Sequence, residues 1–275
     1  FLIFVGYLIR SPFLRWVTGD FDTYFLVIDV LQCIGLSLIL IVSLYYLCNK
    51  KTILFSIINL LLGFIIFLTE RLYFDVNFEN IPLVFNNFVS KANGSIFTII
   101  PWFGYVAFGS FIATLFHGYL KKPKFKTIII AFFFITGFIL IFYSSHILTF
   151  IYRLTHIKVF LQSAGYNYLF TRLGNVLIYF AFFYSLERYL KKPLILKIGQ
   201  KTLSIYVIHF IIIYGSFTGI GLNTIIGKNL NPIQGVIGAI LFLVCVCFIS
   251  FYYVKTNAFL YANLRRIYER IKNAL

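Results

Sequence analysis

The chain has 275 residues, 61% of them hydrophobic and only 12% charged, with a formal net charge of +16. A soluble domain carries about 25% charged residues, so this composition excludes a water-facing globular surface. Apolar blocks of roughly 20 residues suit helices that cross a bilayer core of about 30 Å, and the lack of period-2 alternation argues against a transmembrane barrel. The expected fold class is all-α, a polytopic transmembrane bundle of about eight helices with the first one partial.

Residues 1–9 come first. This apolar stretch reaches only about 13 Å as a helix, less than half a bilayer. The chain contains no Met, so Phe1 reads as the interior of a helix that begins upstream. Further spans are expected over 24–48, 52–68, 96–118, 127–145, 168–187, 200–217 and 233–254. A transmembrane domain over 1–254 is thus followed by a basic amphipathic tail over 255–275. The 76–95 segment reads as extracytoplasmic structure lying on the membrane surface, and its Asn93-Gly94-Ser95 triplet has the glycosylation acceptor pattern.

Basic residues set the orientation. One set of connections holds Lys50, Lys51, Lys121, Lys122, Lys124 and Lys126, then Arg188, Lys191, Lys192, Lys197 and Lys201, and finally Lys255, Arg265, Arg266, Arg270 and Lys272. Its only acids are Glu187 and Glu269, whereas the opposite connections hold Asp20, Asp22, Glu70, Asp75 and Glu79. The positive-inside rule places the first set, with the C-terminus, in the cytoplasm. Topology and anionic lipid headgroups account for most of the positive charge, so nucleic acid is not an expected partner. A second reading is that part of this face receives an anionic cytosolic cofactor. Cys33, Cys48, Cys245 and Cys247 lie in apolar runs without metal-type spacing and read as small packing residues, so no metal is expected.

Polar groups inside spans are costly and therefore candidate functional groups. Asp29 and Gln32 are three residues apart and share a helix face, either aimed at a substrate cavity or bonded between helices. Trp102 follows Pro101 at the outer start of a span, where an interfacial anchor is the simpler role. Arg172 and Asn175 share a face; the Arg could bind a carboxylate or phosphate, bridge to Asp29, or snorkel to the interface. His209 lies mid-span in the run Ser204-Ile-Tyr206-Val-Ile-His209, as a proton-handling imidazole or a hydrogen-bonded packing residue. His117 closes a span, while His146 and His156 fall in an expected outer loop. No Walker loop, nucleophile elbow or internal repeat is present.

Four motifs resemble one family in order: Ile28-Asp29-Val30-Leu31-Gln32-Cys33-Ile34-Gly35, Pro101-Trp102-Phe103-Gly104, Arg172-Leu173-Gly174, and Ile198-Gly199-Gln200 through Ser204, Tyr206 and His209. Over roughly 24–225 the chain is similar to membrane acyltransferases related to heparan-α-glucosaminide N-acetyltransferase, a family with many bacterial members. The resemblance implies transfer of an acyl group, acetyl first of all, from cytosolic acyl-CoA to an extracytoplasmic sugar, glycan or glycolipid in a bacterial inner or plasma membrane. It also implies that the principal catalytic His lies near the start of the family's chain. No position here matches it, so the catalytic residue is unassigned and this stretch alone is expected to be inactive. Asp29, Gln32, Trp102, Arg172, Asn175, Tyr206 and His209 become the expected supporting groups of the reaction chamber. Lys121, Lys122 and Lys201 are the expected contacts for the phosphates of acyl-CoA. The competing reading is a transporter or flippase for a lipid-linked or anionic solute, which would need no acyl-CoA. Homo-oligomerisation, the acyl group and the acceptor stay open.

Overall fold

A computed structural model describes residues 1–19, 21–73, 80–227 and 229–252, and regular structure among them is helical throughout. The first helices are α1 (Leu2–Arg10), α2 (Phe13–Val17), α3 (Val30–Leu47), α4 (Thr52–Tyr73) and α5 (Leu83–Val89). Then come α6 (Ile99–Tyr119), α7 (Phe125–Phe142), α8 (Ser144–Thr155), α9 (Lys158–Gly165) and α10 (Tyr168–Ser185). The last are α11 (Glu187–Leu190), α12 (Pro193–Gln200), α13 (Thr202–Tyr214), α14 (Leu222–Ile226) and α15 (Pro232–Tyr252). Among the described residues, α3 with the turn before it, α4, α6, α7 and α15 are long and apolar enough to cross a membrane. The α12–α13 pair, bent by 63°, makes a sixth when counted as one span. The chain is an integral, multi-pass membrane protein, and a helix stands at each expected span.

Two compact units form, Phe1–Leu8 with Thr23–Tyr189, and Ile9–Asp22 with Leu190–Leu275. In the first, α4 packs along α6 and α7 along α10. Their shared core is Phe67, Phe108, Phe133, Leu169, Phe170, Leu173 and Leu177. The outward faces stay apolar, as lipid requires: Phe132, Ile135, Phe138 and Phe142 of α7 are all exposed.

Glycine sets how closely α7 and α10 approach. A Cβ on Gly174 would stand 2.7 Å from the Gly137 carbonyl oxygen, and one on Gly137 would stand 2.8 Å from the Gly174 oxygen. Small residues permit such contact where lipid offers helices no hydrophobic drive to associate. Polar bonds add to the packing between helices, as where the Ser56 and Thr114 hydroxyls meet at 2.8 Å across α4 and α6.

The lysine-bearing turns gather at one end of this unit. Asn49 and Lys50 take left-handed backbone conformations, with φ of 50° and 59°, to reverse the chain between α3 and α4. Lys126, at the start of α7, pairs with Glu187 just beyond α10 at 2.8 Å. The starts of α3 and α6 lie at the other end, tied by the Ile28 N–H donating to Ser95 Oγ (3.1 Å) and Cys33 Sγ donating to the Thr98 carbonyl (3.8 Å).

Several expectations are corrected by these helices. The 24–48 span becomes α-helical only at Val30, because Asp29 is its N-cap and not an interior residue. The 52–68 span runs on to Tyr73, which carries Glu70 and Arg71 onto α4. The stretch after 145, expected as an outer loop, is the hairpin α8–α9, since Ser145 Oγ donates to the Ala164 carbonyl at 3.0 Å and holds the two helices together. The 200–217 span is α13, preceded by the bend at Lys201. Residues 74–79 and the 255–275 tail lie outside the described residues.

In the second unit, Phe13 stacks on Phe217 at 5.6 Å and the Leu14 N–H donates to the Phe217 carbonyl at 3.1 Å. Gly215 ends α13 in the left-handed region at φ 65°, and a Cβ there would lie 2.2 Å from the Ile220 carbonyl carbon, so glycine is required for that turn.

Replacing Gly174 by Ala should destabilise the protein by about 1–3 kcal/mol through overpacking. Gly109→Ala, with nothing within 4 Å of the new Cβ, should be near neutral. Reversible denaturation in detergent micelles checks this, and equal stability of the two variants would contradict the close α7–α10 contact.

Candidate functional site

Polar and aromatic side chains converge where α4 ends and α6 and α10 begin. Glu70, in the last turn of α4, is only 4% exposed. A buried carboxylate needs a cation and hydrogen-bond donors to offset lost hydration. It has both: Lys91 Nζ lies 3.4 Å from Oε1, and the Tyr168 hydroxyl donates to the same oxygen. Three segments distant in sequence are joined at this one atom.

Aromatic rings build outward from there. Trp102 sits in the first turn of α6, after Pro101; its indole N–H donates to the Ile96 carbonyl at 3.0 Å and its ring stacks on Tyr105 at 5.7 Å. The Tyr105 hydroxyl reaches across to the Leu169 carbonyl on α10 (3.1 Å). Arg172 lies one turn beyond Tyr168 on α10. Its guanidinium sits 5.0 Å from the Tyr168 ring and 6.0 Å from the Trp102 ring, within cation–π range of both, and the side chain is exposed. A cavity of about 510 Å³ opens here, lined by Lys91, Ser95, Ile96, Trp102, Tyr166, Tyr168 and Arg172 among others. Small-molecule sites typically enclose about 300–1,000 Å³.

The candidate residues are divided between the two units. Trp102 and Arg172 come together in this cavity, while Asn175 is exposed and outside its lining. Asp29 and Gln32 form a capping box: the Val30 N–H donates to Asp29 Oδ1 (2.8 Å), and the Asp29 N–H donates to Gln32 Oε1 (3.3 Å). This is a hydrogen-bonding role for the pair, made within one helix end. An Asp29–Arg172 bridge is not formed, because Arg172 is drawn over the two rings. Tyr206 and His209 pack ring against ring at 4.9 Å in the second unit, with Phe210 beside the imidazole. Lys201 occupies the α12–α13 bend there. Lys121 and Lys122 are exposed on the turn between α6 and α7, with Lys122 Nζ 4.5 Å from the Tyr119 ring.

Glu70, Lys91, Tyr105, Tyr166 and Tyr168 are additions that sequence reasoning missed. One signal was available: Tyr168 and Arg172 are four apart, and Trp102 and Tyr105 three apart, so each pair shares a helix face. Glu70 was hidden because the apolar run ends at Leu68, while the helix continues to Tyr73.

Residues 2–157 match the family model for heparan-alpha-glucosaminide N-acetyltransferase, catalytic. The match covers more than half of the chain, and the chain belongs to that family. No curated protein and no solved structure matches it.

Tyr168→Phe should destabilise the protein by about 1–3 kcal/mol, the cost of removing one donor from a buried acceptor. In a Glu70→Leu background the same change should cost far less, because the acceptor is gone. A double-mutant cycle by detergent denaturation reads the difference, and additive effects would contradict the Glu70–Tyr168 link.

Proposed function

We propose that this member of the heparan-alpha-glucosaminide N-acetyltransferase family moves an acyl group, acetyl first of all, from acyl-CoA to an amine or hydroxyl of an extracytoplasmic sugar, glycan or glycolipid. The aromatic and cationic cavity at the end of the membrane domain opposite the lysine turns carries this reading. It is lined by the exposed Tyr166, by Trp102 and by the Arg172 guanidinium, the mixture of apolar surface and polar anchors that a sugar needs. Acyl-CoA, with several negative charges, would enter from the cytoplasmic side, where Lys121 and Lys122 are free to meet its phosphates.

In the reaction the acceptor nitrogen or oxygen attacks the thioester carbonyl carbon. The C–S bond breaks, the acyl group passes to the acceptor, and the acceptor's proton leaves through a base while CoA departs as the thiol. The base is left unassigned. His209, the mid-span imidazole of the second unit, is a supporting group in the proposal. His209→Ala should lower turnover without lowering the yield of folded protein, and unchanged turnover would remove that role.

One observation favours a second reading, a transporter of a lipid-linked or anionic solute. The break between α12 and α13 is the kind of discontinuous helix that transporters use at their binding sites. Dependence on acyl-CoA separates the two. Membrane vesicles carrying the full-length protein should release free thiol from acetyl-CoA only when a sugar or glycolipid acceptor is added. Absence of release with any acyl-CoA, together with absence of acyl-CoA binding, would favour the transporter.

A further inference from the structure

The α8–α9 hairpin is fastened to the end of the bundle away from the lysine turns. Ser163 Oγ donates to the Leu68 carbonyl of α4 at 2.7 Å, and Asn167 Nδ2 donates to Ser145 Oγ at 2.9 Å. Leu68 stands one turn and a half before α4 ends at Tyr73, about 8 Å at the helical rise. The hairpin is therefore held level with the helix ends, where hydrocarbon gives way to headgroups.

Its surface divides along the helix. On α8, Ser144 is buried and Leu148 joins the core of the bundle. Ile147, Phe150 and Leu154, three and four residues apart, make a stripe on another face, with Phe150 60% and Leu154 68% exposed. Ile157 and Leu161 carry exposed apolar surface on into α9. Neither helix has the length of a span, so the stripe belongs to a helix that is amphipathic, not to one that crosses. Beside it, His146, Thr149 and Arg153 repeat the same helical spacing, and with Ser145 and Phe150 they line a groove of about 230 Å³. Lys158, exposed, opens α9.

The charge of the hairpin is one-sided. Between Glu79 and Glu187 the sequence has no acidic residue, so the hairpin brings no counter-charge to Arg153 and Lys158. The positive-inside rule accounts for the lysines at the other end of the bundle and not for two cations at this one. A second copy of the chain docked face to face on the same stripe would set like charges against each other.

We propose that the α8–α9 hairpin is an interfacial anchor for anionic phospholipid. Ile147, Phe150 and Leu154 enter the acyl-chain region, while Arg153 and Lys158 meet headgroup phosphates and His146 can donate beside Arg153. Basic residues along the edge of an apolar stripe are the arrangement that holds an amphipathic helix in the plane of the interface, its apolar face about 5–10 Å deep. The anchor is independent of acyl transfer and needs no substrate.

The test places a bimane fluorophore on Phe150→Cys in the full-length protein, in a background lacking the four native cysteines, reconstituted in nanodiscs. Iodide probes water. Phosphatidylcholine and phosphatidylglycerol, each carrying a doxyl group near the headgroup, probe lipid at equal mole fraction. Doxyl lipid should quench the fluorophore and iodide should not. Phosphatidylglycerol should be preferred by about fivefold, the enrichment one basic residue supplies near an anionic surface. That preference should vanish in Arg153→Gln with Lys158→Gln and survive in Arg153→Lys with Lys158→Arg, thermal unfolding being unchanged in both. A fluorophore on Leu54→Cys, exposed near the start of α4, should respond to neither pair. Quenching by iodide alone puts the hairpin in water, and quenching by neither puts it under protein; each result overturns the inference. Equal quenching by the two lipids, or a preference that persists in the glutamine pair, overturns it as well. The comparison of lipids in the parent protein requires no change to Arg153 or Lys158.

Discussion

A carboxylate almost wholly removed from solvent, Glu70, governs one end of the membrane domain. Its Oε1 receives the Tyr168 hydroxyl of α10 and faces Lys91 from the segment before α6. Without those partners the charge could not stay at the end of a transmembrane helix, since an uncompensated buried ion costs about 3–5 kcal/mol. With them, α4, the 83–98 segment and α10 are fixed together. The consequence reaches one residue further. Because Glu70 orients Tyr168, the ring that supports Arg172 is fixed as well. An interaction that is structural in itself therefore helps to determine where the Arg172 guanidinium is presented.

The long helices need a different kind of contact. In lipid, burial of apolar side chains between helices gains little over burial in acyl chains, so close packing and occasional hydrogen bonds decide association. The facing glycines of α7 and α10 and the Ser56–Thr114 bond supply these. The polar chemistry is consequently displaced to the helix ends, lysines at one and the Glu70 and Arg172 cluster at the other. That separation suits the proposed reaction, in which a polyanionic donor and a sugar acceptor approach from opposite sides and only an acyl group crosses.

Much of this organisation is legible in the sequence. Apolar runs longer than a bilayer is thick can only be helices, so the spans follow from hydropathy alone, and the lysine turns between them are evident. What is lost is where a helix starts for polar reasons. Asp29 reads as an intramembrane acid when hydropathy is averaged, although its side chain closes a capping box with Gln32. The hairpin α8–α9 was hidden for a related reason: its amphipathic helices lack the apolar length of a span, and Ser145 and Asn167 join the segment through bonds between residues that pattern cannot pair. Trp102 and Arg172 could each be singled out, but their meeting could not, because it depends on α6 and α10 being held by Glu70, Lys91 and Tyr168. Sequence periodicity reports the face of one helix; it does not report which end of another helix that face will meet.

In the proposed reaction the Arg172 cavity and the lysine turns face opposite sides of the membrane. Single cysteines introduced at Asn93 and at Lys121, in a background lacking the four native cysteines, test it with a membrane-impermeant maleimide applied to sealed vesicles of known orientation. Asn93→Cys should be labelled only from the extracytoplasmic side and Lys121→Cys only from the cytoplasmic side. Labelling of both from the same side would contradict it.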